Sequence, residues 1–144
     1  MSATKPLSQP RSRAKASVPP SPCPCGSGLA YESCCGRYHR GERAPTPAAL
    51  MRSRYTAYAL GLNDYLKATW APETCPPNLD ASTPPQPKWL GLEVRHQGED
   101  GDQGVVEFIA RYKVGGRAHR MQEKSHFERR KGRWLYVAGE VTED

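Results

Sequence analysis

Long hydrophobic runs are missing from this sequence of 144 residues. No stretch approaches the roughly 18 to 20 apolar residues that a membrane-spanning helix needs, and the residues before Cys23 lack the apolar segment of a secretory signal. Hydrophobic residues make up 37% of the chain, which suits one ordinary domain and a small additional unit. The sequence therefore predicts a cytoplasmic protein without a membrane segment.

Acidic residues are nearly absent from the first forty positions. Glu32 is the one acid there, whereas the other 104 residues carry fifteen basic and fourteen acidic side chains. The basic residues of the first forty are Lys5, Arg11, Arg13, Lys15, Arg37 and Arg40. A nucleic-acid-associated factor would have to bind through this segment. We regard that hypothesis as the less favoured one, because a few basic residues on a tail more often keep a chain solvated.

Residues 1–22 also lack the composition of a folded segment. They include five prolines and are rich in Ser, Lys and Arg. Too little apolar surface is present to offset the entropy that ordering would cost. We therefore predict a disordered basic leader over residues 1–22.

Cysteine is scarce outside the short stretch CPCGSGLAYESCC. The four cysteines of this stretch are Cys23, Cys25, Cys34 and Cys35. Adjacent cysteines are poorly placed to bridge each other, and the spacing differs from the C-x-x-C of a redox pair. Four thiolates do suit the tetrahedral coordination of Zn²⁺. We predict one structural Zn²⁺ per chain on these four residues, with His39 as a reserve ligand if Cys35 is not used.

A metal would also explain how residues 23–40, the Cys-rich unit, can fold. So short a segment buries little apolar surface, whereas structural zinc contributes on the order of 10 kcal/mol to the folding of small fingers. Gly26 and Gly28 allow tight turns that direct backbone N–H groups at sulfur. We expect the unit to be ordered by its metal.

Two helices are predicted after a linker over residues 41–47. Thr46 and Pro47 are typical of the first positions of a helix, and Gly61 is typical of its end. The helices are predicted over residues 48–61 and 62–70 from apolar side chains at helical spacing. Asn63 is the candidate cap of the second helix.

Four strands are predicted in the second half of the chain. They cover residues 88–98, 105–114, 117–130 and 134–141. The first strand alternates Leu90, Leu92 and Val94 against Trp89, Glu93 and Arg95. The proline-rich residues 71–87 allow at most one helical turn, near Asp80. Helices followed by an antiparallel meander predict an α+β fold.

The cysteine stretch resembles the SEC-C motif, which is best known from the bacterial preprotein-translocase ATPase. The match falls on Cys23, Pro24, Cys25, Gly26, Ser27, Gly28, Tyr31, Cys34 and Cys35, with Cys where the motif more often has His as the fourth ligand. The resemblance implies a structural zinc ion and a module that contacts other proteins.

The rest of the chain extends the resemblance to the bacterial YchJ-like family. Similar segments include APTPAALMRSRYTAYALGLNDYLKATW and HRMQEKSHFERRKGRWLYVAGE, and the resemblance covers roughly residues 22–141. It implies a fold of the nuclear-transport-factor-two (NTF2) type over residues 46–142, in which helices lie on a curved sheet and enclose a pocket. The family is uncharacterised in function, so the resemblance implies no activity.

Polar residues on the third predicted strand are the candidate pocket site. His119, Glu123 and Ser125 share a face with apolar neighbours, and Tyr58 of the first helix could face them. Glu123 could act as a general base, with Tyr58 or His119 as the proton donor. Structural roles for these groups are the more common alternative. Cys75 stands alone among prolines and is not predicted to be a nucleophile.

Three functions remain open from the sequence. The favoured one is a zinc-binding interaction or adaptor protein whose larger domain holds a protein partner or a small apolar ligand, or forms a homodimer through its sheet. The second is an isomerase, dehydratase or hydrolase that uses an acid/base pair in the pocket. The third is the nucleic-acid-associated factor.

Overall fold

The predicted helices and strands occur in the predicted order. The computed structural model describes residues 21–82 and 86–143, so the predicted leader lies outside the described residues except for its last two positions. A 3-10 turn at Tyr31–Ser33 is followed by helices α1 (Cys35–His39), α2 (Pro47–Leu60) and α3 (Asn63–Ala68), and by strands β1 (Lys88–Asp100), β2 (Gln103–Val114), β3 (Arg117–Arg130) and β4 (Arg133–Glu143). Within the described residues, no helix has the length and apolar character of a membrane span.

Helix α2 begins and ends where its sequence predicts. The Thr46 side chain accepts a hydrogen bond from the backbone N–H of Ala49 at 3.1 Å, and Pro47 occupies the first turn, where its missing N–H costs nothing. At the other end, Gly61 adopts a left-handed φ of 72°, which a residue with a side chain rarely does. Local signals therefore determine both ends of this helix.

The four strands form one antiparallel sheet in the order β1-β2-β3-β4, and α2 packs across it. Gly104 of β2 makes this packing close, because a Cβ there would overlap the ring of Pro47. The predicted α+β architecture, with a small Cys-rich region and helices on a four-stranded antiparallel sheet, is confirmed.

Strand β1 departs from the predicted alternation. Its register with β2 shifts between Trp89 and Gly91, so that Leu90 is an extra residue. Trp89 consequently turns toward the helices, where its ring centroid lies 5.5 Å from that of Tyr55, while Leu90 is 47% exposed. The predicted faces of Trp89 and Leu90 were wrong, because a bulge of one residue exchanges the two faces of a strand.

The side chain of Asn63 holds the far end of the loop after α3. Asn63 Oδ1 accepts from the backbone N–H of Ala81 at 2.6 Å, and its Nδ2 donates to Asp80 Oδ1 and Ser82 Oγ, each at 3.1 Å. The predicted cap at Asn63 was wrong, since Leu62 occupies the capping position. Residues 71–82 form no helix, and a single helical turn, in which the N–H of Cys75 donates to Ala71 O at 3.1 Å, lies at the start of the loop and not near Asp80.

The main apolar core joins the Cys-rich unit to α2 and the sheet. Its fully buried members include Cys25 and Cys35 from the Cys-rich unit, Leu50 from α2, and Val106 and Phe127 from the sheet. A second cluster forms around Leu66 of α3. The Cys-rich unit therefore shares a core with the larger domain.

Candidate metal centre and central cavity

The four cysteines of the Cys-rich unit converge on one point. All four are buried, and their sulfur atoms lie within 4.8 Å of one another. Cys25 Sγ and Cys34 Sγ are 3.6 Å apart, far beyond the roughly 2.05 Å of a disulfide. Four sulfurs about 2.3 Å from a central zinc ion would be separated by about 3.8 Å. The donor set and its spacing therefore fit a tetrahedral metal site, as the sequence predicts.

Tight backbone turns bring the sulfurs together. The N–H of Gly26 donates to Cys23 O at 3.1 Å, and the N–H of Cys23 donates to Leu29 O at 2.9 Å. Gly26 and Gly28 adopt φ values of 80° and 88°, which glycine tolerates. This loop places the first two cysteines opposite the pair at the start of α1.

Hydroxyl groups surround the sulfurs. Ser27 Oγ lies 3.1 Å from Cys34 Sγ. Thr56 Oγ1, from α2, donates to Cys35 Sγ at 3.4 Å and lies 3.7 Å from Cys23 Sγ. Hydrogen bonds of this kind orient ligands and stabilise thiolate charge. No local pattern pointed to Thr56, because its contact with the sulfurs arises from tertiary packing.

Without a cation, the four sulfurs cannot all carry negative charge. A hydrogen bond from Cys35 lowers the pKa of Cys25 to about 4, and the same bond, together with burial, raises the pKa of Cys35. Burial also raises the pKa of Cys34. These shifts favour the charge on Cys25 and the protonated forms of Cys34 and Cys35. A divalent cation would stabilise all four as thiolates.

His39, the predicted reserve ligand, is engaged elsewhere. Its Nε2 donates to Ser53 O at 2.9 Å, so its Nδ1 accepts from the Tyr31 hydroxyl at 2.6 Å. Burial lowers the pKa of His39, which favours this neutral form. His39 therefore joins the Cys-rich unit to α2.

A cavity of about 210 Å³ lies between α2 and the sheet. We call it the central cavity. Its lining consists of Met51, Arg54, Tyr55, Tyr58, Trp89, Phe108, Ala110, Met121, Glu123, Ser125, Phe127 and Tyr136. Most of these side chains are aromatic or apolar, and one carboxylate and one guanidinium lie among them. Such a cavity is the usual form of a small-molecule site.

Glu123 is the buried acid of the central cavity. Its Oε2 accepts hydrogen bonds from Ser125 Oγ at 2.6 Å and from the Tyr136 hydroxyl at 2.9 Å. Burial, followed by the nearby Glu123 charge, raises the pKa of Tyr136, so this phenol remains a donor. Gly139 of β4 leaves room for the carboxylate, because a Cβ there would overlap Glu123 Oε2.

Arg54 is the buried cation of the central cavity. Its Nη1 donates to Leu66 O at 2.9 Å and to Thr69 Oγ1 at 2.7 Å. The guanidinium carbon lies 4.7 Å from the Trp70 ring centroid and 4.6 Å from that of Tyr136. These contacts stabilise the positive charge of the guanidinium, which burial would otherwise disfavour.

The structure brings together three of the four predicted pocket residues, including Ser125. Glu123 and Tyr58 both line the central cavity, and burial raises the pKa of Tyr58. His119 is not among the lining residues and stacks on Tyr112 at a centroid distance of 5.3 Å. Cys75 is half-buried, with its sulfur 3.7 Å from Pro76 O.

Two family models match the chain, one over the larger domain and one over the Cys-rich unit. Residues 46–139 match the middle, NTF2-like domain of YchJ, and residues 20–37 match the SEC-C motif. The chain belongs to the YchJ-like family. A UPF0225 protein of Cupriavidus metallidurans is 53% identical over 139 residues, covering 91% of this chain and 96% of the relative. Another, of Chromobacterium violaceum, is 55% identical over 128 residues, covering 83% and 92%.

Solved structures of SEC-C motif containing proteins resemble this YchJ-like chain. One from Rhodopseudomonas palustris aligns with a TM-score of 0.75 and 41% identity, covering 82% of this chain and 96% of the other. One from Psychrobacter arcticus aligns with a TM-score of 0.70 and 26% identity, covering 85% and 82%. The predicted family is thereby confirmed.

Proposed function

We propose that this YchJ-like protein is a zinc-stabilised binding protein of the cytoplasm. In this proposal the Cys-rich unit contacts a protein partner, and the central cavity holds a small ligand. The observation that carries the proposal is the convergence of four buried sulfurs beside α2, the helix that also walls the cavity. One metal would then order the contact unit, which packs against the helix of the ligand domain.

Zinc is the ion that suits the four sulfurs best. Tetrahedral coordination by four thiolates is typical of structural zinc, and the 3.6 Å between two of the sulfurs fits a single ion. Four protein ligands leave no open position for a substrate, so the ion would stabilise the fold and would not take part in catalysis. Reduced thiols of this kind are kept in the cytoplasm.

The exposed loop of the Cys-rich unit supports a protein-contact role. Leu29 is 53% exposed at this loop, and its N–H is held by Ser27 Oγ at 3.2 Å. An apolar side chain on an ordered loop can dock on a partner with little loss of conformational entropy. Leu60, 49% exposed at the end of α2, offers a matched surface leucine outside the unit.

The contact role is tested by affinity capture from a bacterial lysate with three forms of the full chain: wild type, Leu29→Ser and Leu60→Ser. We expect the wild type and Leu60→Ser to retain the same proteins and Leu29→Ser to lose them. All three should keep about one zinc per chain. If Leu29→Ser retains the same proteins with its zinc in place, the contact surface proposed here is wrong.

An acid/base enzyme is the second candidate, because Glu123 and Tyr58 line the same cavity. A carboxylate near a phenol in a largely apolar site can move a proton between two atoms of a bound molecule. This function differs from simple binding in one measurable way, since an enzyme would convert its ligand and a binding protein would release it unchanged.

No contact among the described residues favours nucleic acid or a second copy of this chain as the partner. Arg37 of the Cys-rich unit pairs with Glu42 at 3.3 Å, and Arg40 donates to Glu32 O at 3.1 Å, so both cations are engaged within the chain. Nucleic-acid binding and a homodimer through the sheet stay predictions.

A further inference from the structure

The central cavity contains one buried charge of each sign, and each charge is held by neutral groups. Arg54, 5% exposed, donates to two oxygens at the end of α3, and Glu123, 8% exposed, accepts from two hydroxyls. Both hydroxyls reach Oε2 of Glu123, so Oε1 receives neither of them. A carboxylate oxygen in the wall of a largely apolar cavity can accept a further hydrogen bond, which a ligand in the cavity can supply.

The size and walls of the cavity restrict the shape of that ligand. An apolar cavity of about 150 Å³ holds benzene, so the 210 Å³ here suits one six-membered ring with small substituents. The aromatic walls are formed by Tyr55, Tyr58, Trp89, Phe108, Phe127 and Tyr136. Ring faces and edges pack best against another flat ring.

The two charges restrict the electrostatics of the ligand. A cationic ligand would be attracted by Glu123 but repelled by Arg54, and an anionic ligand would meet the reverse. A purely apolar ligand would use neither polar group. A carboxylate can only accept hydrogen bonds and a guanidinium can only donate them. A zwitterion would match both charges but would have to give up the hydration of two ions. An uncharged ligand with one donor and one acceptor satisfies both groups without that cost.

We propose that the central cavity binds a neutral, planar cyclic amide of one ring, whose N–H donates to Glu123 and whose carbonyl accepts from Arg54. The proposal rests on the ligand-binding part of the proposed function and names the chemical class of the ligand. Adjacent N–H and C=O groups on one flat ring supply the donor and the acceptor together, without net charge.

Four small probes on the zinc-loaded wild-type chain test the proposal. They are 2-pyridone, N-methyl-2-pyridone, benzylamine and benzoate, titrated while the NMR signals of the Trp89 indole and of the Met51 and Met121 methyl groups are followed. We expect 2-pyridone to bind most tightly and the N-methyl compound, which lacks the donor, about tenfold more weakly. The cationic and anionic probes should also bind more weakly than 2-pyridone.

A matched pair of variants tests the role of the charge. Glu123→Gln makes the cavity net positive and can turn an N–H group toward the ligand, so 2-pyridone should bind about tenfold more weakly and benzoate more tightly. Glu140→Gln is the control, because Glu140 is exposed on β4 and pairs with His126 at 3.0 Å. It should bind all four probes like the wild type.

The outcomes separate the two proposals. If N-methyl-2-pyridone binds the wild type as tightly as 2-pyridone, or if a charged probe binds most tightly, the cyclic-amide class is wrong and ligand binding stands. If no probe shifts the signals of the cavity, the ligand-binding part of the proposed function fails with it. The zinc and the contact surface are tested by other measurements and are unaffected.

Discussion

Gly139 determines where the carboxylate of Glu123 can lie. It pairs with Ser125 across the β3–β4 ladder, and a Cβ at this position would overlap both Glu123 Oε2 and the Tyr136 hydroxyl. The missing side chain therefore makes room for the hydrogen-bonded acid of the central cavity. Gly98 of β1 provides a contrast, because a Cβ there would meet nothing within 4 Å.

Replacing Gly139 with alanine should cost stability, because the new methyl group displaces a buried, hydrogen-bonded carboxylate. We expect Gly139→Ala to lower the free energy of unfolding by about 1–3 kcal/mol, the usual range for overpacking. Gly98→Ala should change it by less than about 0.5 kcal/mol. Urea denaturation of the two variants and the wild type measures both values. Equal losses in both variants would show that the effect comes from glycine replacement in a strand and not from the carboxylate.

Some residues of the site could be predicted from the sequence and others could not. Alternation along β3 placed Glu123 and Ser125 on one buried face, because that strand pairs with β2 without a register shift. Gly139 and Thr56 gave no such signal. Each residue acts through a close contact with a segment that is distant in the sequence: Gly139 with Glu123, and Thr56 with Cys35. Such contacts follow from tertiary packing and not from a local pattern.

Helix α2 connects the two sites of the molecule. Thr56 directs its hydroxyl at the cysteine sulfurs, whereas Arg54 and Tyr58 line the central cavity. Its bounds could be predicted because a cap, a proline and a glycine act over a few residues. The bulge at Leu90 could not be predicted in the same way, since it is defined by pairing with β2.

The cap of α2 gives a prediction for this element. Thr46→Ala removes the side-chain acceptor for the Ala49 N–H and should lower the free energy of unfolding by about 1 kcal/mol. Thr46→Ser keeps a hydroxyl in the same place and should remain close to the wild type. Thermal or urea unfolding of the three forms provides the comparison. A serine variant as unstable as the alanine variant would mean that the methyl group of Thr46, and not its hydrogen bond, stabilises the helix.

At the scale of the whole molecule, the Cys-rich unit is tied to the larger domain by polar contacts as well as by the shared core. Arg52 Nη1 donates to Cys25 O at 3.2 Å, and His39 Nε2 donates to Ser53 O at 2.9 Å. The sheet, in contrast, is held by its own strand pairing and by α2. Loss of the metal should therefore loosen the Cys-rich unit first and leave the sheet folded, as local unfolding of a separate cooperative unit.

Cys25→Ser and Cys75→Ser test this order of events. Cys25 lies among the four sulfurs, whereas Cys75 is a half-buried residue of the loop after α3. By elemental analysis, wild type and Cys75→Ser should hold about one zinc per chain, and Cys25→Ser much less. Hydrogen exchange should then accelerate strongly in residues 23–40 of Cys25→Ser, while the amides of β2 and β3 keep their protection, because structural zinc supplies most of the folding free energy of so short a unit. If Cys25→Ser loses zinc and its Cys-rich unit stays protected, the shared core holds that unit in place and the metal serves another purpose.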